Sequence, residues 1–310
     1  MLYRSLLRRA TLLHFTTTGL NSIRPAFAST MAVPPSSYTL DRSIFNQNLY
    51  SSMWKFWFAD TPPDAGVASF PVMQKWFGIN STEAEKEEYD DTCRQKFQHA
   101  LAAIGPDKLA LPPFESYERE VEDAATLSAP LLAEVKTAQA EDEKKGTETL
   151  ISLVLLLDQM TRNMNRDPAG LNVVYTHYDR LAYTLLRASL DLPTNLVAHS
   201  FYARKPVYKL WMLMPLIHSE HLPSHELWSR IANELRRECE GDEELLKYID
   251  LSMKAEKDHV VLIERFGRYP HRNEFVGRVS TSEEEAYLVD ADTFGVKSSK
   301  KESGKGKDEL

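Results

Sequence analysis

A chain of 310 residues with 26% charged and 43% hydrophobic residues can bury a sizeable core in one or two domains, as ordinary globular proteins do. The net charge of −8 argues against a nucleic-acid binder, which would carry a basic domain. With Cys93 and Cys239 as the only cysteines a disulfide framework is not expected, and no apolar run reaches the ~20 residues that span a bilayer.

Residues 1–30 contain Arg4, Arg8, Arg9 and Arg24, many Ser and Thr, and no Asp or Glu. Leu2, Leu6, Leu7 and Leu13 can share one helical face. This is the pattern of a mitochondrial transit peptide, and the charges at Arg8 and Arg9 interrupt the apolar stretch that a secretory signal needs. Mitochondrial import is therefore the expected address. Initiation at Met31 would give a cytoplasmic form. The chain ends in Lys307-Asp-Glu-Leu310, which matches the endoplasmic-reticulum retention signal and points to that lumen only if the tail is read there. Asn80-Ser-Thr82 is a sequon that only a lumenal protein would present for glycosylation. Residues 1–37 read as leader or disordered extension, 38–296 as one helical domain, and 297–310 as a disordered polar tail.

The aromatic segment Tyr50-Ser-Ser-Met-Trp-Lys-Phe-Trp-Phe58 has the spacing of a buried helix, ended by Pro62-Pro63. Met73-Gln-Lys-Trp-Phe77 is a second aromatic knot. Thr82 to Ile104 reads as a long helix with an acidic first turn, which suits the helix dipole. Gly105-Pro106 and Pro112-Pro113 bound a loop, residues 115–140 read as helical, and Glu141 to Glu148 as a charged, Gly-containing loop. Leu150 to Leu157 is apolar apart from Ser152 and reads as a fully buried helix running on into Asp158-Gln-Met-Thr-Arg162. Asp158 and Arg162, four apart, share a face there. Further helices are expected over 169–190, from Val207 to near Pro215, and over 224–239, 242–266 and 283–289. In the longest of these Leu262, Ile263 and Phe266 face a core, Gly267 supplies a left-handed stop, and Pro270 forbids continuation. A dense run of donors follows, Arg268, His271, Arg272 and Asn273. With no alternation of strands and helices, the fold class is all-α, built from antiparallel helix pairs.

Four stretches carry a family resemblance: Trp54–Phe58, Leu157-Asp-Gln-Met-Thr-Arg-Asn163, Met214-Pro-Leu-Ile-His-Ser-Glu220, and Arg265-Phe-Gly-Arg-Tyr-Pro-His-Arg-Asn273 with Gly277-Arg278. Over residues 50–295 the chain resembles the family catalogued as domain of unknown function 924. The resemblance implies an all-helical, tetratricopeptide-repeat-like fold and no established reaction. This chain has Met160-Thr161 where the family pattern favours Phe-Pro, leaving Asp158, Arg162 and Asn163 in place.

No glycine-rich nucleotide loop, nucleophile elbow or His-Glu-x-x-His motif occurs, and no cofactor is expected. His218, His221 and His225 have helical spacing, but Pro215 and Pro223 interrupt the helix, so no metal site is assigned. Asp158, His218, Glu220 and His259 are the acid/base candidates. Arg162, Asn163, Arg268, His271, Arg272 and Asn273 are the candidates for holding a ligand, since arginines take carboxylate or phosphate bidentately. The bland reading of Asp158 and Arg162 is a polar network locking helix ends, and that of His259 a satisfied core histidine. Two functions follow: binding of a small anionic ligand or an acidic peptide, or a hydrolase or transferase acting on a small anionic metabolite. Asp158, Arg162, Glu220, Arg268, His271 and Arg272 are expected to meet in one cluster, because each lies at the polar end of an apolar segment.

Overall fold

A computed structural model describes residues 32–59, 61–289 and Thr293. The Arg-rich leader through Met31 and the polar tail from Lys297 lie outside the described residues. The described chain enters the fold at once: Val33 forms an isolated parallel bridge with Leu109, and Pro35 is buried at the start of a 3-10 turn.

Among the described residues there is no sheet, and the chain folds as helices throughout. They are α1 Gln47–Phe58, α2 Phe70–Phe77, α3 Glu83–Ala103, α4 Tyr117–Glu122, α5 Ala124–Leu127, α6 Ala129–Glu141, α7 Glu143–Val154 and α8 Thr161–Met164. After these come α9 Pro168–Val173, α10 Asp179–Leu190, α11 Pro206–Met212, α12 Met214–Ile217, α13 Leu222–Glu238, α14 Glu243–Phe266 and α15 Ser282–Leu288. The starts are written locally. Thr82 and Glu85 close a capping box at α3, as do Thr281 and Glu284 at α15. Asn46, Asp142 and Asp242 accept from backbone N–H groups that the first turn leaves unpaired. Gly267 ends α14 at φ 69°, a conformation that β-carbons disfavour.

One expectation fails, and two others gain detail. Residues 141–148 are not a loop: Asp142 alone separates α6 from α7, and Gly146 lies inside the helix. A β-carbon at Gly146 would come within 2.9 Å of the Gln139 Cα, so the glycine permits two helices to touch rather than a turn. The stretch 115–140 breaks into α4, α5 and α6 at Asp123 and Ser128. The helix expected from Val207 to near Pro215 runs from Pro206 to Met212, and Pro215 itself sits in the first turn of α12, where a missing N–H costs nothing.

The two aromatic knots form one: Trp76 stacks on Trp57, donates its indole N–H to the Trp57 carbonyl at 2.8 Å, and both meet Trp211 edge-on. A second, smaller apolar cluster joins Leu262, Ile263 and Tyr269 with Phe266 and Tyr287. Two long rods position the polar residues. In each, a stretch of α-helix widens into a π-helical turn, Leu155–Met160 between α7 and α8 and Val174–Tyr178 between α9 and α10. Leu150 to Leu157 is buried as expected, and Asp158 sits in the first of these turns. A π turn displaces one residue from the regular ladder and often marks a functional site.

Candidate functional site

The π turn at 155–160 leaves main-chain oxygens to be satisfied by side chains. Thr161 Oγ1 donates to the Leu157 carbonyl at 2.6 Å, and Arg162 Nη1 to the Asp158 carbonyl at 2.7 Å. The Asp158 carboxylate is fully buried. His218 Nδ1 lies 2.7 Å from its Oδ1, and Gln159 donates to its Oδ2 at 2.6 Å. Arg162 approaches the same carboxylate only at 3.6 Å and makes its close pair with Asp179, bidentately at 2.8 and 2.9 Å. Asp179 opens α10 directly after the second π turn, so the two widened turns face each other through this ion pair.

Arg272 reaches the other side of Asp179, its Nη1 3.7 Å from Oδ2. It is buried with its guanidinium between two rings, 4.6 Å from the centre of Tyr175 and 4.7 Å from that of Tyr269. No described residue accepts a hydrogen bond from the guanidinium, and its Nε is buried without a partner. A buried Nε–H with no acceptor is costly, because that donor has given up water without replacing it.

Glu220 is a clamp. Its oxygens accept from Arg278 at 2.6 and 2.8 Å and from the Tyr269 backbone N–H at 2.8 Å, while its own N–H donates to the Tyr117 hydroxyl at 2.9 Å. The three histidines of the 218–225 stretch diverge. His218 goes to Asp158. His221 lies 2.9 Å from Ser224 Oγ and 3.4 Å from Glu118. His225 is buried with Nδ1 2.6 Å from Glu256 and Nε2 2.9 Å from the Ser219 carbonyl. His259 lies beside the site, its ring 6.5 Å from that of His218 and edge-on to Tyr269 at 5.9 Å, with Nδ1 donating to the Ala255 carbonyl. His271 is buried against Tyr269.

The electrostatics follow from these contacts. Burial alone would raise the Asp158 carboxyl, but His218 and Arg162 outweigh it and hold Asp158 ionised. Burial and the charge of Arg162 push the His218 imidazole down, so it is neutral. Burial opposes ionisation of Glu220, yet Arg278 and Arg272 hold it below the usual carboxylate range. Burial lowers His259 to about 4 and takes His271 well below its ordinary value. The cluster thus joins three carboxylates and three arginines around neutral imidazoles.

Four of the six residues expected to meet do so through direct contacts or one shared partner: Asp158, Arg162, Glu220 and Arg272. His271 lies against Tyr269 beside them. Arg268 turns outward to Glu284, at 2.6 and 2.8 Å. Asn163 faces Cys93 Sγ at 3.7 Å, and Asn273 donates to Ser280 Oγ at 3.1 Å. Asp179, Tyr175 and Tyr269 are the residues that the sequence reading did not nominate. Asp179, between Tyr178 and Arg180, and Tyr175 carried no signal in the sequence. Two clefts of about 320 and 300 Å³ lie elsewhere, one lined by Arg187, Leu227 and Arg230, the other by Met73, Phe77 and Tyr248. The convergence of charged side chains, rather than the depth of a cavity, marks the site.

Residues 53–292 match the family described as bacterial protein of unknown function (DUF924). Among solved structures the chain is similar to a protein of unknown function, ATU0120 from Agrobacterium tumefaciens, at 21% identity and a TM-score of 0.46, over 79% of this chain and 98% of that one. No curated protein matches.

Proposed function

Given that this chain belongs to the DUF924 family of bacterial proteins of unknown function, we propose from the site itself that it binds a small anion, a carboxylate or a phosphate, on Arg272. The observation that carries this reading is a buried guanidinium held between Tyr175 and Tyr269 with no hydrogen-bond acceptor among the described residues. Its nearest carboxylate, Asp179, is already engaged bidentately by Arg162. An anion would take the unused donors in fork geometry. A small anion suits the site better than an acidic peptide, because the cation is recessed between two rings where a single charged group reaches it. A hydrolase or transferase acting on that anion is the second reading, favoured by the Asp158–His218 hydrogen bond.

Thermal melts with and without phosphate or citrate test the binding. The parent melts higher with anion, by about 3 kcal/mol in stability at a hundredfold excess over Kd. Arg272→Ala costs little stability without anion and loses the anion response. A parent indifferent to both anions, or an Arg272→Ala variant that still responds, overturns the reading.

The antiparallel pairs α6–α7 and α13–α14 support a tetratricopeptide-like arrangement of residues 38–296 as one domain. The composition of the first 30 residues supports mitochondrial import, with the cytoplasm second and the reticulum lumen third. A mobility shift of cellular protein on endoglycosidase treatment would reverse that order.

A further inference from the structure

We propose that the Asp158–His218 pair makes the anion site hydrolytic, His218 Nε2 taking a proton from water beside a small ester whose carboxylate or phosphate rests on Arg272. The inference depends on anion binding at Arg272 and adds a reaction to it.

The geometry singles out His218 among the titratable residues of the site. Its Nδ1 faces a carboxylate that is fully buried and held on its other oxygen by Gln159. An ionised carboxylate only accepts, so Nδ1 carries the hydrogen and the lone pair lies on Nε2. No described residue takes Nε2, and the side chain keeps 13% of its surface open. The other candidates lack this combination. His225 has both ring nitrogens engaged, by Glu256 and by the Ser219 carbonyl. His259 is oriented through Nδ1 by the Ala255 backbone carbonyl. Glu220 is locked by Arg278 and the Tyr269 N–H. Asp158 is enclosed and acts through His218, so it is a positioning residue that fixes the tautomer and stabilises the imidazolium once formed.

The step balances without a further reactant. An O–H bond of water breaks, its proton passes to Nε2, and the oxygen's electron pair forms the bond to the ester carbon or phosphorus. The alkoxide leaves with the electrons of the broken ester bond and takes the proton back from Nε2. Ester and water become acid and alcohol. Arg272 holds the substrate's charge throughout, and the neutral resting state of His218 leaves Nε2 free to accept a proton at the start of each turnover.

The full chain is assayed with mono-4-nitrophenyl glutarate, 4-nitrophenyl phosphate and the uncharged 4-nitrophenyl acetate. Turnover of a charged ester well above the acetate is expected, and whether glutarate or phosphate is preferred identifies the anion. His218→Gln should lose about a hundredfold or more in kcat, the usual range for a general base. Asp158→Asn should lower kcat and shift its pH profile with KM unchanged, whereas Arg272→Ala should raise KM. Should a variant fail to fold, carbethoxylation of His218 in the parent, read by mass spectrometry, replaces it: His218 should modify readily and be protected by phosphate. No turnover of any probe, a His218→Gln variant at the parent rate, or a His218 inert to carbethoxylation each overturns the proposal. If phosphate still raises the melting temperature through Arg272 while no probe is turned over, hydrolysis falls and anion binding stands.

Discussion

Replacing Glu220 should detach the C-terminal segment from the rest of the protein. Its carboxylate accepts two hydrogen bonds from Arg278 and one from the Tyr269 backbone, tying residues 269–278 to the turn between α12 and α13. Charge-assisted bonds of this kind are worth about 1.5–3 kcal/mol each, offset by the cost of burying the charge. In Glu220→Ala the Tyr269 N–H and the Arg278 guanidinium lose their acceptor together, and breaking a buried pair typically costs about 3–5 kcal/mol. The Arg278 side chain is 28% exposed and can partly rehydrate, which places the expected loss near ~3 kcal/mol. Glu220→Gln retains an acceptor for Tyr269 and should cost about 1–2 kcal/mol. Urea unfolding gives the totals, and hydrogen exchange locates them, with protection lost first over 262–288, where the apolar cluster is small. The double variant Glu220→Ala/Arg278→Ala should be less unstable than the two losses added. The folded Glu220 carboxyl titrates below its ordinary 4.5, so the parent loses this contribution as pH falls below that value, and Glu220→Ala should not. A Glu220→Ala protein within about 0.5 kcal/mol of the parent, with additive behaviour in the cycle, would refute the reasoning.

His259 is neutral in the fold, its folded value near 4 lying below the unfolded 6.5. The stability it contributes is complete above pH 6.5 and declines as pH falls towards 4, by about 3 kcal/mol, so the pH profile of the melting temperature should flatten in His259→Gln. Gly146→Ala drives a methyl against the Gln139 backbone and should cost about 1–3 kcal/mol, measured by urea melts; a neutral result would mean that α6 and α7 separate easily. His225 must donate through Nε2 to the Ser219 carbonyl, so one proton is shared between Nδ1 and Glu256. His225→Ala leaves the Glu256 carboxyl buried without that partner and should cost about 3 kcal/mol, whereas Glu256→Gln, which can donate to Nδ1, should be tolerated; equal melting of both variants would contradict this.

Helix existence and type were legible in the order of residues, because periodicity, caps and stops act over four or five positions. Leu150 to Leu157 read as a buried helix, Gly267 as a stop and Thr82 as a start, and the fold bears these out. The polar character of the site was legible too, since Asp158 follows an apolar run and Arg272 lies in a dense run of donors. Partner choice was not. On one helical face Arg162 has Asp158 four residues away, yet it pairs with Asp179, seventeen residues on, where the second rod returns alongside the first. Asp158 finds its histidine sixty residues away, and Glu220 its arginine fifty-eight away. Gly146 looked like a turn and is a helix contact. The physical reason is one of range. Backbone propensity and capping are satisfied by neighbours in sequence, whereas a buried charge is satisfied by whichever opposite group packing brings within hydrogen-bond reach. Only the closed tertiary structure determines that group, and it leaves Arg272 between two tyrosines with its donors unclaimed.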